Sequence, residues 1–288
     1  MSRGPGSSVP LRLAAYAVLA AAAAVVLVPL LYLVTSSFKP AADFFTSMFL
    51  PLGDGFLGVR WDALTLEQFR KLGQTDIDLP RAMVNSIFLS SVTSVLATLI
   101  CAAAGYALTV YRFRARAAAD WLVVAALIIP PPLLIAPSYQ WLHTLGLLDS
   151  YAGLILPAIA PAFGVYLFRQ AAKQSIPPAM VEAARVDGAS ELTIFFGIGL
   201  PMLRPMIGAF VIITFLAMWN NFIGPQVVLQ SDAKQPLAVA IYQTQTGYYS
   251  DYGVLMAATL VAVAPVAVLF LFLQREFLSG LTSGAVKG

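Results

Sequence analysis

Seven residues stand in a spacing suited to gripping another protein: Glu182, Ala183 and Ala184, then Gly188, then Ile198, Leu200 and Pro201. The acid offers charge, the paired alanines allow close approach of a partner surface, and the glycine permits a sharp bend. This is the chemistry of contact rather than of bond making. Further along, Trp219, Asn220 and Asn221 are followed by Gly224 and Pro225. Two amides can donate to and accept from hydroxyls, and an indole can stack on the apolar face of a pyranose. The same residue types also tie neighbouring membrane helices together or mark the interfacial belt.

Catalytic constellations are missing. GxxxxGKS/T, HExxH and GxSxG do not occur, so the chain has no phosphate cradle of the nucleotide-hydrolysing kind, no zinc-protease helix and no nucleophile elbow. The sole histidine, His143, lies near Trp141 at the edge of an apolar run, where a headgroup-level polar residue is expected. Cys101 is the only cysteine and sits inside an apolar run, which excludes an intrachain disulfide and a four-thiolate metal site.

The elements that position these residues follow from composition. Of 288 residues, 59% are hydrophobic and 11% charged, with a mean hydropathy of +0.81. That is more apolar surface than one soluble core can hide, so the bilayer is part of the solvent. A spanning helix needs about 20 apolar residues, at about 1.5 Å each, to cross about 30 Å of hydrocarbon. Six segments qualify: Leu13–Val34, Met83–Val110, Trp121–Trp141, Tyr151–Phe168, Pro205–Leu229 and Tyr252–Leu273. The first is longer than the apolar region of a signal peptide and is read as a retained helix. Pro130, Pro131 and Pro132 remove three backbone donors in succession, so the third span must kink or unwind. The expected fold class is therefore an all-α integral membrane protein with six transmembrane helices.

Lysine and arginine set the orientation. With the N-terminus inside, the inner segments hold Arg3, Arg12, Arg112, Arg114, Arg116, Arg169, Lys173, Arg185, Arg204, Arg275 and Lys287, against Lys39, Arg60, Arg70, Lys71, Arg81 and Lys234 outside. That bias predicts both termini in the cytoplasm. The arginines are scattered and the net charge is only +3, which argues against a nucleic-acid surface. None of the six cores carries Asp, Glu, Lys, Arg or His, although ion-coupled carriers and pumps use such groups as relays.

The polar stretch from Arg169 to Arg204 predicts an elbow. Pro177 and Pro178 start a short helix that runs to about Asp187, and Gly188 supplies the left-handed residue that ends it. Ser190 caps a second helix with Glu191 in its first turn, Ile194, Phe195 and Ile198 give it an apolar side, and Pro201 is expected to end it. Met180, Ala183, Ala184 and Asp187 fall at helical spacing, and Glu182 and Arg185 lie on adjacent faces, available to pair with a partner.

The spacing from Glu182 to Pro201 resembles the EAA loop of the membrane subunits of binding-protein-dependent ABC importers. Trp219-Asn220-Asn221-Phe222, the stretch Asp251 to Ala257, the RAxxNS pattern from Arg81 to Ser86 and the tail Gly280 to Gly288 look like the sugar-importing branch, maltose-permease type. The resemblance implies the type I ABC importer fold in a bacterial or archaeal cytoplasmic membrane. It assigns residues 1–35 to the N-terminal tail and first span, 36–82 to an extracytoplasmic loop, 83–275 to the core with the coupling loop at 175–204, and 276–288 to a cytoplasmic tail.

By the same resemblance, Met180, Glu182, Ala183, Ala184, Arg185, Asp187, Gly188, Ile198, Leu200 and Pro201 couple to an ATPase. Trp219, Asn220, Asn221 and Gly224 border the sugar path, and Ser283, Gly284 and Lys287 touch the ATPase from the tail. The partners implied are a second homologous permease, two copies of a cytoplasmic ATPase that bind ATP and Mg, an extracytoplasmic sugar-binding protein, and membrane lipid. No catalytic residue, metal or cofactor is implied in this chain. A secondary carrier, or an importer of another polar solute such as glycerol phosphate, is the alternative.

Overall fold

The computed structural model describes residues 9–244 and 251–283. Among them the architecture is helical, with a single isolated bridge between Leu52 and Val59. In chain order the helices are α1 (Val9–Ser37), α2 (Glu67–Leu72), α3 (Leu79–Val110), α4 (Arg116–Ile128), α5 (Ile135–Thr144), α6 (Tyr151–Ala158) and α7 (Ala162–Ser175). They continue as α8 (Pro178–Val186), α9 (Glu191–Ile194), α10 (Leu200–Met202), α11 (Arg204–Trp219), α12 (Ile223–Val228), α13 (Leu237–Gln243) and α14 (Tyr252–Ser283).

Three helices are long and apolar enough to cross a membrane unbroken: Leu11–Ser37, Leu79–Val110 and Tyr252–Phe272. Three more candidate crossings are bent pairs: α4 with Pro131–Thr144 at 101°, α6 with α7 at 41°, and Glu191–Met202 with α11 at 78°. The expected kink of the third span is thus a sharp break. Pro130–Pro132 deprive one turn of its donors, and the chain changes direction there. The expected fifth span, Pro205–Leu229, is likewise interrupted at Asn220–Phe222 and resumes as α12.

The chain divides into two compact units. Among the described residues, one holds those up to Asp76 together with those of Ile241–Ala264; the other holds Ile77–Ala240 and those from Pro265 to Ser283. In the first unit Lys39 is fully buried, its Nζ donating to the carbonyls of Ser47 (2.8 Å) and Met48 (3.1 Å) with the rings of Tyr32 and Phe44 beneath it. Burial lowers its pKa, against a raising effect from Asp43. Gln68 donates to the Lys39 carbonyl, and Asp251 caps α14 through the amides of Gly253 and Val254 while pairing with Lys71. A buried cation with carbonyl partners therefore organises the segment that follows α1.

In the second unit α3 is the axis. Asp78 caps it by accepting from the Arg81 amide, with Pro80 in the first turn, so the helix begins at Leu79 rather than at Met83. Gly105 and Gly164 let α3, α7 and α11 close in: a Cβ on Gly105 would lie 2.5 Å from the Arg169 amide nitrogen and 2.7 Å from the Phe168 carbonyl carbon, and one on Gly164 would strike Phe210 and Cys101. Phe168 and Phe210 then meet edge to face at 5.3 Å. Asp120 on α4 pairs with Arg169 on α7, 49 residues apart in the chain. Asn85 donates to the carbonyls of Ala233 and Gln235 and accepts from Tyr151, while Ser86 accepts from the Leu237 amide. The Arg81–Ser86 pattern thus works as an anchor for the segment beyond α12.

Candidate functional site

The elbow forms between α7 and α11. Pro178 opens α8 in its first turn, where a missing donor costs nothing, and the helix closes with Asp187 N–H on Ala183 O (2.9 Å) and Gly188 N–H on Arg185 O (3.1 Å). Gly188 takes φ +83°, with nothing within 4 Å of where a Cβ would stand. Its backbone conformation, not crowding, requires glycine. Ser190 then accepts from the Thr193 amide and starts α9, as its position after the bend predicts.

The second arm differs from expectation at its end. Phe195–Gly199 form a π-turn, Pro201 sits in the first turn of α10, and the helical path continues to Met202. The wider turn removes the need for a donor at residue 201, so the proline is absorbed and the bend falls at Leu203, which is 1% exposed. Pro201 does not end the arm.

Charge also bridges the elbow. Arg185 donates Nε to Glu191 Oε1 at 2.7 Å and Nη2 to Oε2 at 3.2 Å, so it is engaged within its own loop rather than left for a partner. The guanidinium lies 5.9 Å from the ring centre of Tyr111, just after α3. Hydrogen bonds from Arg185 and then Tyr111 hold the Glu191 carboxyl below its ordinary pKa. Burial first, and the Glu191 hydrogen bond second, push the Tyr111 hydroxyl up to about 12. Tyr111 carries no motif signal; only its place next to the α3 terminus, 80 residues from Glu191 by numbering, brings it here.

The inner side of the elbow belongs to the membrane core. Val181, Ile194, Phe195 and Leu203 share one buried cluster with Ala97, Cys101, Tyr106, Phe168 and Phe210. Tyr106 packs on Phe195 at 5.2 Å, and a Cβ on Gly199 would stand 3.0 Å from that tyrosine ring. Outward, Ala179, Met180, Glu182, Ala183, Val186 and Asp187 are exposed, with Val186 at 88%. Ala184, Ile198 and Leu200 are half-buried against the cluster, and Pro201 is exposed. Two short helices thus present one face outward while the other is embedded among α3, α7 and α11.

A second feature is a cleft of about 310 Å³ where two helix breaks meet. Pro131, Ser138, Tyr139, Pro157, Asn221 and Gly224 are among its walls. Asn221 Oδ1 accepts from the Gly224 amide at 3.2 Å and so ties the helix break to the first turn of α12. Asn220 is exposed, with its Nδ2 on the Leu216 carbonyl. Trp219 is 6% exposed and stacked on Phe215 at 5.7 Å, away from the cleft walls. Gly284 and Lys287 lie outside the described residues, as does the side chain of Ser283.

Residues 94–281, which carry the elbow and the cleft's α12 wall, match the family described as binding-protein-dependent transport system inner membrane component. The chain belongs to that family. The permease is 37% identical over 261 residues to the arabinooligosaccharides transport system permease protein AraQ of Halalkalibacterium halodurans, covering 90% of this chain and 91% of that one. It is 33% identical over 211 residues to the lactose transport system permease protein LacG of Rhizobium radiobacter, covering 73% and 77%. In fold it is similar to a chain of a bacterial ABC transporter involved in the import of the acidic polysaccharide alginate: TM-score 0.79 and 20% identity, covering 96% of the permease and all of that chain. The permease is thus an inner membrane component of a transport system, with the all-α type I importer fold.

Proposed function

We propose that this permease moves a sugar, of di- or oligosaccharide size, across the cytoplasmic membrane, driven by ATPase subunits that grip the elbow. The observation that carries it is the two-sidedness of that elbow. Its outer face shows Met180, Glu182, Ala183 and Val186, while Val181, Ile194, Phe195 and Leu203 are buried with the core of α3, α7 and α11. A close-packed interior deforms little, so a push on the outer face is passed to the spans as a rigid-body movement. The Arg185–Glu191 pair holds the two arms in register during that push.

The assembly is completed by a second homologous permease, two copies of the ATPase and an extracytoplasmic binding protein. Sugar as the cargo is supported by the relatives' named substrates, arabinooligosaccharides and lactose. It also suits the cleft, where Tyr139, Ser138 and Asn221 offer an aromatic face and hydrogen-bonding groups among apolar walls. Asn220, Asn221 and Gly224 remain the proposed path residues; buried Trp219 supports them through Phe215. ATP and Mg belong to the ATPases, and both termini of the permease face them from the cytoplasm.

The test is uptake of labelled arabino-oligosaccharides and lactose into vesicles holding the complete complex and its binding protein. Uptake is expected to stop when the ATPase is inactivated and to survive collapse of ion gradients. Uptake that continued without ATP hydrolysis would make the permease a secondary carrier.

A further inference from the structure

A cleft of about 450 Å³ lies between the segment after α3 and the start of α8. Thr109, Tyr111, Arg112, Arg116, Glu182 and Arg185 are among its walls. The charges there are unequal. Arg185 is engaged by Glu191, and Arg116 spends one N–H on the Tyr111 carbonyl at 3.3 Å. Arg112 is exposed, and among the described residues neither Arg112, Arg116 nor Glu182 has an ion-pair partner within 4.0 Å. The cleft therefore offers two guanidiniums with free donors and, at one side, one carboxylate that only accepts.

Its surroundings suit the level of lipid headgroups. Arg112, Phe113 and Arg114 alternate, with Phe113 44% exposed, and α4 continues with Trp121 at 74% and Leu122 at 71%. Apolar rings and an aliphatic face turned outward beside cations are what a boundary between hydrocarbon and phosphate requires.

We propose that this cleft binds the phosphodiester headgroup of an anionic phospholipid such as phosphatidylglycerol. Arg112 and Arg116 hold the phosphate through charge-assisted hydrogen bonds, while Glu182 stays on the face offered to the ATPase. Because one wall is the end of α3 and the other the first arm of the elbow, a bound lipid clasps the two together. Coupling then depends on anionic lipid, a consequence that rests on the elbow's proposed role at the ATPase, whereas the binding site itself does not.

Native mass spectrometry of the complete complex, with phosphatidylglycerol or phosphatidylcholine added, reads the site directly. Wild type is expected to retain phosphatidylglycerol selectively, and Arg112→Gln with Arg116→Gln to weaken retention by about fivefold per arginine. Arg112→Gln alone, on an exposed side chain, keeps the test informative if loss of the Arg116 bond to Tyr111 disturbs the fold. Equal retention by wild type and Arg112→Gln overturns the proposal, as does displacement of the lipid by millimolar inorganic phosphate, which would assign the cleft to a soluble anion. Binding-protein-stimulated ATP hydrolysis in vesicles with and without phosphatidylglycerol reads the consequence: stimulation that rises with the lipid in wild type but not in the double variant supports it. A double variant that retains no lipid yet responds to it as wild type does refutes the regulatory half alone.

Discussion

Arg185 and Glu191 meet across Gly188 in a two-point contact, 2.7 Å and 3.2 Å, that closes the corner between the two arms of the elbow. The left-handed glycine sets the angle and the ion pair keeps it. Neither would suffice alone, since an exposed pair is weak and a lone glycine is pliant.

Gly188→Val is expected to separate ATP hydrolysis from uptake. A β-branched residue at φ +83° is strained by about 1–2 kcal/mol, so the corner reopens. Uptake by the reconstituted complex should fall at least tenfold while hydrolysis continues; normal uptake at normal expression would remove the elbow from the coupling path.

Asn221→Ala and Asn220→Ala are expected to differ. The first removes the acceptor of the Gly224 amide and should lower stability by about 1 kcal/mol, visible as a lower Tm of the purified complex. The second changes an exposed amide and should raise the KM for sugar with little change in Tm. A lower Tm with unchanged KM in both variants would place both in packing.

Asp149 makes the loop after α5 resistant to mild acid. Its carboxylate accepts from the Ser231 hydroxyl and amide, from Lys234 and from the Gln230 amide, and those bonds hold its pKa well below the usual carboxylate range. A lowered folded-state pKa means that the contribution is complete above the unfolded value and is lost only as pH falls through the folded one. The Gln230 and Ser231 amides should therefore stay protected from hydrogen exchange below pH 4, after ordinary carboxylates have begun to protonate, whereas Asp149→Asn should expose them already at neutral pH. Protection lost between pH 6 and 5 would contradict this.

Gly105→Ala is expected to part α3 from α7. The new Cβ would meet backbone atoms of Phe168 and Arg169, which cannot swing aside, so a loss of about 1–3 kcal/mol is anticipated. Gly197→Ala is the control, since nothing lies within 4 Å of its added carbon. A drop in Tm for Gly105→Ala alone is the expected result; equal Tm values would mean that the helices are not in close contact there.

Local chemistry made much of this legible. The proline start of α8, the left-handed Gly188 and the Ser190 cap are decided within a few residues of backbone, so their types and spacing alone predict them. Hydrophobic run length likewise announced the membrane helices, because the bilayer imposes the length from outside.

What only the tertiary structure decided are relations between distant residues and competitions between local rules. Pro201 ought to stop a helix, yet the π-turn before it leaves no donor to be missed. Arg185 looked free for a partner until the bend brought Glu191 to it, and Tyr111 entered the site only because α3 ends where the elbow begins. Sequence alone determined that the chain is a bundle of membrane helices with a polar elbow, since residue types act on their near neighbours and on the solvent. Which side chains face one another across that bundle was decided by packing, because pairing over long separations depends on the path of every helix between them.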